Sequence, residues 1–490
     1  MPTQAPIAVR LASYQSRLSA YPSQLLAAGW IGGLTVLLRA VYGSSGSIGY
    51  DAAYALVWGN EIVHERMPEF GTATAPTPHP LANLFGAVLS LLGESALDAF
   101  VLVHFVALAT LGYASFVLGR RLFSVPVGLL FAMILLTRAT LVHETAIALV
   151  DVPFLALVVA AAAVEVGEPD RPTLVMALLA LSGLLRPEGW LVAAAYTLYR
   201  WPRHDSRGRL GLVAGAAAAP LLWAGFDLVA TGDPIHSLHS TRELADRLNR
   251  PRGFETALEA APRYLRSLLG GRIIWLGLAG SVLALIFLYE RALLPCALAG
   301  LGLSAFLALG AVGLPILTRY LLIPALMLAL FAAVAVLGWA ILRQRGMAQR
   351  VWTVLGVLLA VVLGAGVPGD VRAIEDRFEL LDRRAALQDR LRDLAASTAT
   401  KTATRRCGRV YVPNSRPVPL ITYVADLPAA TVVVGRPSPG ERAALLEANT
   451  PEVAGFFSLD DRELRAAVRP PPARFRRVVG NDTWTLYASC

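Results

Sequence analysis

The chain has 490 residues, 56% of them hydrophobic and only 16% charged, with a mean hydropathy of +0.55. A soluble domain carries about 25% charged residues, and one aqueous core cannot hide this much apolar surface. Soluble enzymes, disordered scaffolds and disulfide-rich secreted modules are therefore excluded.

The net charge is +9, and Lys401 is the only lysine among the 44 basic residues. The arginines sit mostly in short connections beside apolar runs, which favours membrane-flanking loops and phosphate handling over nucleic-acid binding. Arginine bias with heavy Ala, Leu and Gly suits a bacterial, GC-rich source. Residues 1–23 are polar, include Arg10 and Arg17, and are not followed by a cleavage site. They read as a cytoplasmic segment without a cleavable signal peptide.

About eleven membrane spans are expected, at 24–42, 97–118, 123–137, 148–164, 172–185, 187–199, 210–230, 272–289, 292–312, 317–341 and 351–367. With the N-terminus inside, the inner connections hold Arg120, Arg121, Arg171, Arg200, Arg203, Arg207, Arg209, Arg291, Arg343, Arg345 and Arg350. An odd number of spans then puts the tail outside. The fold class expected is a mainly α polytopic membrane domain, 24–368, with outer loops at 43–96 and 231–271. A small α/β extracytoplasmic domain, 369–490, follows it.

The first outer loop has helix-like pieces at 51–66 and 80–92, the second too short to span and read as interfacial. The loop 231–271 reads as an amphipathic helix broken at Pro251 and Gly253. In the tail, a charged helix with Ile374, Phe378, Leu381 and Leu387 near one face is expected first. Strands are expected in 409–413, 430–435 and 453–459, and a final strand pair in 473–480 and 483–489. A helix is expected in 440–448, and 419–425 is helical or extended. Cys296 falls inside a span as a small hydrophobe. Cys407 and Cys490 either pair, if the tail lies outside, or stay as thiols.

Polar residues beside a membrane need a reason. Asp51, flanked by Tyr50 and Tyr54 on the outer side of the first span, suits a general base; capping a helix that starts at Ala52 accounts for it equally well. Asp151-Val152-Pro153 has its own capping explanation. His236 and His239 have an i, i+3 spacing that suits a metal, but no third ligand is evident. No Gly-rich nucleotide fingerprint or Walker loop is present.

The motifs Tyr50-Asp51, Ala75-Pro76-Thr77-Pro78-His79-Pro80-Leu81, Leu92-Gly93, Leu185-Arg186-Pro187-Glu188-Gly189, Thr231-Gly232-Asp233-Pro234 and Thr318-Arg319-Tyr320-Leu321-Leu322-Ile323-Pro324 follow one another across residues 24–367. In order and on a common outer side, they resemble the GT-C superfamily of membrane glycosyltransferases that use polyprenyl-phosphate sugars. The lipid-A and protein O-mannosyl types are nearest in flavour. The resemblance implies sugar transfer from a polyprenyl-phosphate donor to an envelope glycan, lipid or protein acceptor, in the bilayer of a bacterial inner membrane and without nucleic acid.

It makes Asp51 the catalytic base, with inversion at the anomeric carbon. Tyr50, Tyr54, His79, His143, Glu144, Asp151, Arg186, Glu188, His236, Arg319 and Tyr320 are the substrate-binding candidates. Arg319 and Arg186 suit the phosphate, as do one or two of Arg242, Arg247, Arg250, Arg252, Arg263 and Arg266. Arg186 and Glu188 also have a purely structural reading, as a pair. Many members of the superfamily carry paired acids in the first loop; here Asp51 is followed by Ala52 and Ala53. No cofactor is therefore expected, and a divalent metal is not favoured, though Glu61 is a possible added ligand. The rivals are a secondary transporter or lipid flippase, disfavoured because polar residues collect at one face, and a non-catalytic envelope-assembly protein.

Overall fold

The computed structural model describes residues 7–43, 47–72, 74–342, 346–467 and 469–490, with side chains from Gln24 onward. The Arg10 and Arg17 side chains, Arg343, Arg345 and loop residues 44–46 lie outside the described residues.

The membrane region is helical throughout. It runs α1 (Ile7–Tyr42), α2 (Tyr50–Val63), α3 (Pro80–Ser90), α4 (Ala96–Leu122), α5 (Val125–Leu136), α6 (Ala139–Ala146), α7 (Asp151–Gly167) and α8 (Pro172–Gly183). Then come α9 (Glu188–Arg200), α10 (Ser206–Thr231), α11 (His236–Arg247), α12 (Phe254–Leu269), α13 (Gly271–Phe287), α14 (Tyr289–Ala311), α15 (Leu322–Leu337) and α16 (Met347–Ala365). Each of the eleven apolar runs is a helix. Among the described residues, however, six helices are long and apolar enough to cross a membrane, or up to eight if two bent pairs, α5–α6 and α12–α13, each count once. The expected count of eleven is therefore too high on length. Helices α8 and α9, of 12 and 13 residues, reach only about 20 Å at 1.5 Å per residue, short of the ~30 Å apolar layer.

Helix α15 is the centre of the bundle. Its apolar window is 89% buried, against 11% for the window Gln24–Tyr42 of α1. It packs against α13, α14, α5 and α16. Leu221, Leu222, Val229, Val354, Leu358 and Val361 remain exposed on α10 and α16, as a lipid-facing surface requires.

Helices α2 and α3 form a close pair in the first loop, at the two positions where helix-like pieces were expected. A Cβ at Gly86 would sit 2.1 Å from the Ala55 carbonyl oxygen, so glycine is what lets the two backbones meet. The rings of Tyr50, Tyr54 and Trp58 on α2 and of Phe70 in the loop after it meet in succession, edge-on or tilted, with centroids 5.1, 5.0 and 4.8 Å apart. The 231–271 loop is two helices, α11 and α12, broken where Gly253 adopts φ +104°.

Helix α17 (Val367–Ala396) continues α16 in a 50-residue rod out of the bundle. Its foot is fastened by Asp370, which receives Arg138 through two hydrogen bonds (2.7 and 3.2 Å) and Arg272 through a third (2.9 Å). Leu381 is buried against Ala146 and Ile147, while Phe378 stacks on Tyr42.

The tail then adds α18 (Thr398–Cys407), β1 (Val410–Val412), α19 (Val418–Val424), β2 (Val432–Val434), β3 (Ala444–Ala448), α20 (Pro451–Phe457), α21 (Asp461–Ala467), β4 (Arg476–Gly480) and β5 (Trp484–Ala488). The sheet order is β2-β1-β3-β5-β4, with β1 parallel to β2 and β3, and β5 antiparallel to β3 and β4.

Two expected elements are exchanged. Residues 444–448, expected as helix, are the central strand. They are buried on both faces, and a doubly buried strand has no alternation to distinguish it from a helix. Residues 453–459, expected as strand, lie mostly in α20. Thr450 caps that helix by accepting from the Val453 amide (3.3 Å), and Pro451 opens its first turn. Cys407 and Cys490 are disulfide-bonded with a Cα–Cα distance of 5.4 Å, closing the domain from the end of α18 to the second residue beyond β5. Cys296 is half-buried on α14.

Candidate active site

The site is built where loop ends meet at one end of the bundle. Asp51 is not a helix cap. Helix α2 starts one residue earlier, with Gly49 as its N-cap, so Asp51 stands in the first turn. Gly49 donates its amide to the Ile147 carbonyl (2.8 Å), and a Cβ there would fall 2.4 Å from that oxygen. This close approach sets where Asp51 points. Asp151 opens α7 but makes no side-chain cap, so the capping explanation falls for it as well.

Both acids face Arg319 instead. Its Nη1 lies 3.6 Å from Asp51 Oδ2 and 3.8 Å from Asp151 Oδ2. Asp151 is fully buried and also pairs with Arg186, which is itself 4% exposed. Arg186 in turn pairs with Glu188 at 2.5 Å and lies over the Tyr320 and Phe154 rings at 5.1 and 5.5 Å. The structural pairing of Arg186 with Glu188 is thus present, but as one part of a larger cluster. Glu144 is buried within electrostatic reach of both Arg186 and Arg319.

A cavity of about 580 Å³ opens against this cluster. Arg186, Glu188, Arg319, Tyr320 and His79 form its polar end. Leu191, Trp190, Trp223, Leu238, Ala308, Leu309 and Val312 form an apolar flank between α9, α10, α11 and α14. His79 is buried edge-on to Trp223 at 5.7 Å. Burial, and then the charges of Arg319 and Arg186, pull its pKa down to about 4 against the opposing pull of Asp51, so the ring is neutral at neutral pH. Trp190 meets Trp223 edge-on at 5.7 Å, and the Trp223 indole donates to Ser237 (2.9 Å). Ser237 is held by Asp227 through two 2.8 Å hydrogen bonds, which tie α11 to α10.

The remaining candidates divide. Asp51 does not line the cavity; Arg319 joins it to the rim. Tyr50 donates to the Thr74 carbonyl (2.9 Å), and burial holds its phenol well above the ordinary range. Tyr54 is buried in the aromatic ladder and borders a separate cavity beside β2. His143 is faced by Arg377 and Arg384 and does not line the cavity. His236 stacks on Phe70 at 6.2 Å, and His239 pairs with Asp233 at 2.7 Å, so their spacing does not form a metal site. His104 is buried in α4, with its Nδ1 2.8 Å from the Phe100 carbonyl oxygen.

Of the arginines in 231–271, Arg247 pairs with Glu243 and Arg252 with Asp246, while Arg250 has Arg319 and Asp51 as electrostatic neighbours. Glu61 accepts the Glu69 amide (3.1 Å) instead of joining Asp51. Among the described residues, no three His, Cys, Asp or Glu side chains are placed to hold a metal. The space between Asp51 and Asp151 is taken by the Arg319 guanidinium. Sequence reasoning missed Trp190, Trp223, Asp227, Arg384 and Arg416. The one available signal was Asp227, a carboxylate inside an apolar run.

No family model and no curated protein matches the sequence. Solved structures do match. ArnT from Cupriavidus metallidurans bound to undecaprenyl phosphate is 14% identical with a TM-score of 0.55, covering 94% of this chain and 97% of that one. Its apo state gives 14% and 0.53, covering 96% and 98%. The Archaeoglobus fulgidus oligosaccharyltransferase, in complex with Zn and sulfate, is 13% identical with a TM-score of 0.51, covering 89% of this chain and 70% of that one. Over most of its length, this chain shares the fold of these two proteins.

Proposed function

We propose that the protein is an inverting membrane glycosyltransferase that takes a monosaccharide from a polyprenyl-phosphate carrier. The observation that carries the reading is Arg319, held between Asp51 and Asp151 at the polar end of an otherwise apolar cavity. Both ion pairs exceed hydrogen-bond length, and Arg319 Nε has no hydrogen-bond partner. The guanidinium therefore retains donors for a phosphate. The apolar flank suits a prenyl chain, and the similarly folded ArnT was crystallised with undecaprenyl phosphate.

The acceptor hydroxyl forms a bond to the anomeric carbon as the bond from that carbon to the phosphate oxygen breaks. The hydroxyl proton passes to Asp51. The carrier leaves as a polyprenyl phosphate anion, held by Arg319 with Arg186 behind it. No general acid is needed, because the leaving group is already a stable anion. Developing positive charge on the sugar ring faces Asp51. Arg319 supplies the positive charge between the two aspartates, so the reading routes no step through a metal.

The active end is assigned to the outer face of a bacterial inner membrane, with the tail outside and a hydroxyl on an envelope glycan, lipid or protein as acceptor. The Cys407–Cys490 disulfide supports an oxidising compartment for the tail.

The test is transfer by purified protein in proteoliposomes from a panel of undecaprenyl-phosphate sugars, read as release of undecaprenyl phosphate. Asp51→Asn is expected to slow transfer by about 10²–10⁴-fold, the usual contribution of a general base, while carrier binding persists. Transfer by Asp51→Asn at the wild-type rate overturns the assignment.

A further inference from the structure

Asp51 has a second side. Apart from the large cavity, a narrow cleft is lined by Gly49, Tyr50 and Ala53 of the α2 start, by Arg384 and Gln388 of α17, and by Arg416 from the turn before α19. Two guanidiniums and a helix N-terminus converge there.

Arg384 is half-buried and makes no hydrogen bond or ion pair among the described residues; its charged neighbours are Arg416 and Asp51. Arg416 uses Nη1 on the Phe456 carbonyl (2.9 Å) and has Glu463, Tyr50 and Asp51 as electrostatic neighbours. Glu463 is engaged elsewhere, accepting from the Ser415 hydroxyl and amide and from the Leu459 amide (2.7 Å). The third group is the N-terminus of α2. Its cap, Gly49, has no side chain to satisfy the first-turn amides, and such an end favours anions. Gln388 donates to the Ile48 carbonyl (2.8 Å), fixing the rim of the cleft.

Glu463 and Asp51 both face Arg416, but Arg384 has only Asp51, which it shares with Arg319 and Arg416, so Arg384 is left without an acid of its own in a partly desolvated place. Such charge is stable only when paired. The cleft volume is about 10 Å³, room for one oxygen-sized group and not for a sugar. In a direct displacement the nucleophile approaches opposite the leaving phosphate. The cleft shares no lining residue with the donor cavity and is flanked by Tyr50 and Gly49 beside the base Asp51, so it is read as the acceptor side.

We propose that Arg384, Arg416 and the α2 amides form a subsite for an anionic oxygen on the acceptor, so that the acceptor carries a phosphate or carboxylate near the attacked hydroxyl. The proposal deepens the glycosyltransferase reading and rests on it for the word acceptor. The anion site itself is testable without any transfer assay.

The experiment uses the full chain in nanodiscs, saturated with undecaprenyl phosphate so that the donor cavity is filled. Inorganic phosphate and then acetate are titrated at constant ionic strength, with the thermal unfolding midpoint as readout. Wild type is expected to be stabilised with half-saturation at millimolar anion. Arg384→Gln and Arg416→Gln are each expected to weaken that response at least tenfold while unfolding normally without anion. Arg390→Gln, on the same helix away from the cleft, is the control. Equal responses in wild type and both variants overturn the site. A response that vanishes when phosphatidylglycerol replaces phosphatidylcholine in the discs assigns the cleft to lipid headgroups and overturns the acceptor role. Arg319→Gln separates the two readings. It is expected to lose undecaprenyl phosphate binding; if it does not, the donor assignment fails, while the cleft is judged by the variants at 384 and 416.

Discussion

Helices α7 and α9 carry the same chemistry at both ends, and the two ends do different things. At one end Arg200 meets Glu165 (2.9 Å) and the Tyr196 hydroxyl (3.2 Å), and that hydroxyl donates to the same Glu165 oxygen (2.9 Å). Arg200 also donates to the Pro169 carbonyl. The cluster is closed, and no cavity adjoins it among those described. At the other end Arg186 meets Asp151 and Glu188 under Tyr320. There a second arginine, Arg319, stands between two aspartates at more than hydrogen-bond distance, beside a cavity of about 580 Å³. Arginine, carboxylate and tyrosine fasten helices when their donors and acceptors are all used. They make a binding site when one guanidinium is left over and a cavity reaches it.

Arg186→Gln and Arg200→Gln press on this contrast hardest. Each breaks a buried pair, and removing one partner of such a pair costs about 3–5 kcal/mol. Both should lower the thermal unfolding midpoint, because Asp151 is 0% exposed and Glu165 only 11%. Only Arg186→Gln should also weaken undecaprenyl phosphate binding. Equal loss of carrier affinity in the two variants would erase the distinction between the ends.

Next in size is Arg319→Gln. Loss of one charge-assisted contact is worth about 1.5–3 kcal/mol, or roughly 10–100-fold in carrier affinity measured by titration in nanodiscs. The unfolding midpoint should stay near wild type, since Arg319 holds no helix pair together tightly.

A pH series tests the cavity end. The folded state holds His79 near 4, below its ordinary 6.5. Between those values the unfolded chain binds the proton that the folded chain refuses, so stability rises with pH across the window and is lost as pH falls from 6.5 toward 4. Thermal unfolding of wild type should show this slope, to which His143, also lowered to about 4 by burial, contributes, and His79→Gln should lessen it; an unchanged slope means that His79 is not one of the groups. The smallest effect is expected at Arg247. Its pair with Glu243 is an exposed i, i+4 pair, and Arg247→Gln should shift stability by less than about 0.5 kcal/mol with carrier binding unchanged.

The site candidates differed in legibility for physical reasons. Asp51, Arg186, Glu188, Arg319 and Tyr320 were visible because charged or aromatic residues at the ends of apolar runs are costly and rare. His143, His236 and Tyr54 looked equally good by that criterion. They were not separable from the others, because only the packing decides which loop residues face the cavity. Trp190 and Trp223 were invisible as site residues, since an aromatic in an apolar helix has the same local signature whether it packs against a helix or lines a cavity. Arg384 and Arg416 are 333 and 365 residues from Asp51 in sequence, and no local pattern brings them there.

By itself the sequence determined the helices. Apolar runs cannot stay in water, and each of the eleven became a helix because the bilayer leaves the backbone no other partner. It also determined the α2–α3 pair in the first loop and the end of the molecule where polar residues gather. Tertiary structure decided the rest. It decided which runs are long enough to cross, which of β3 and α20 is strand and which helix, and that Cys407 meets Cys490. It also set Arg319 between Asp51 and Asp151. Those outcomes depend on distances between remote parts of the chain, and a one-dimensional pattern of polarity contains no such distances.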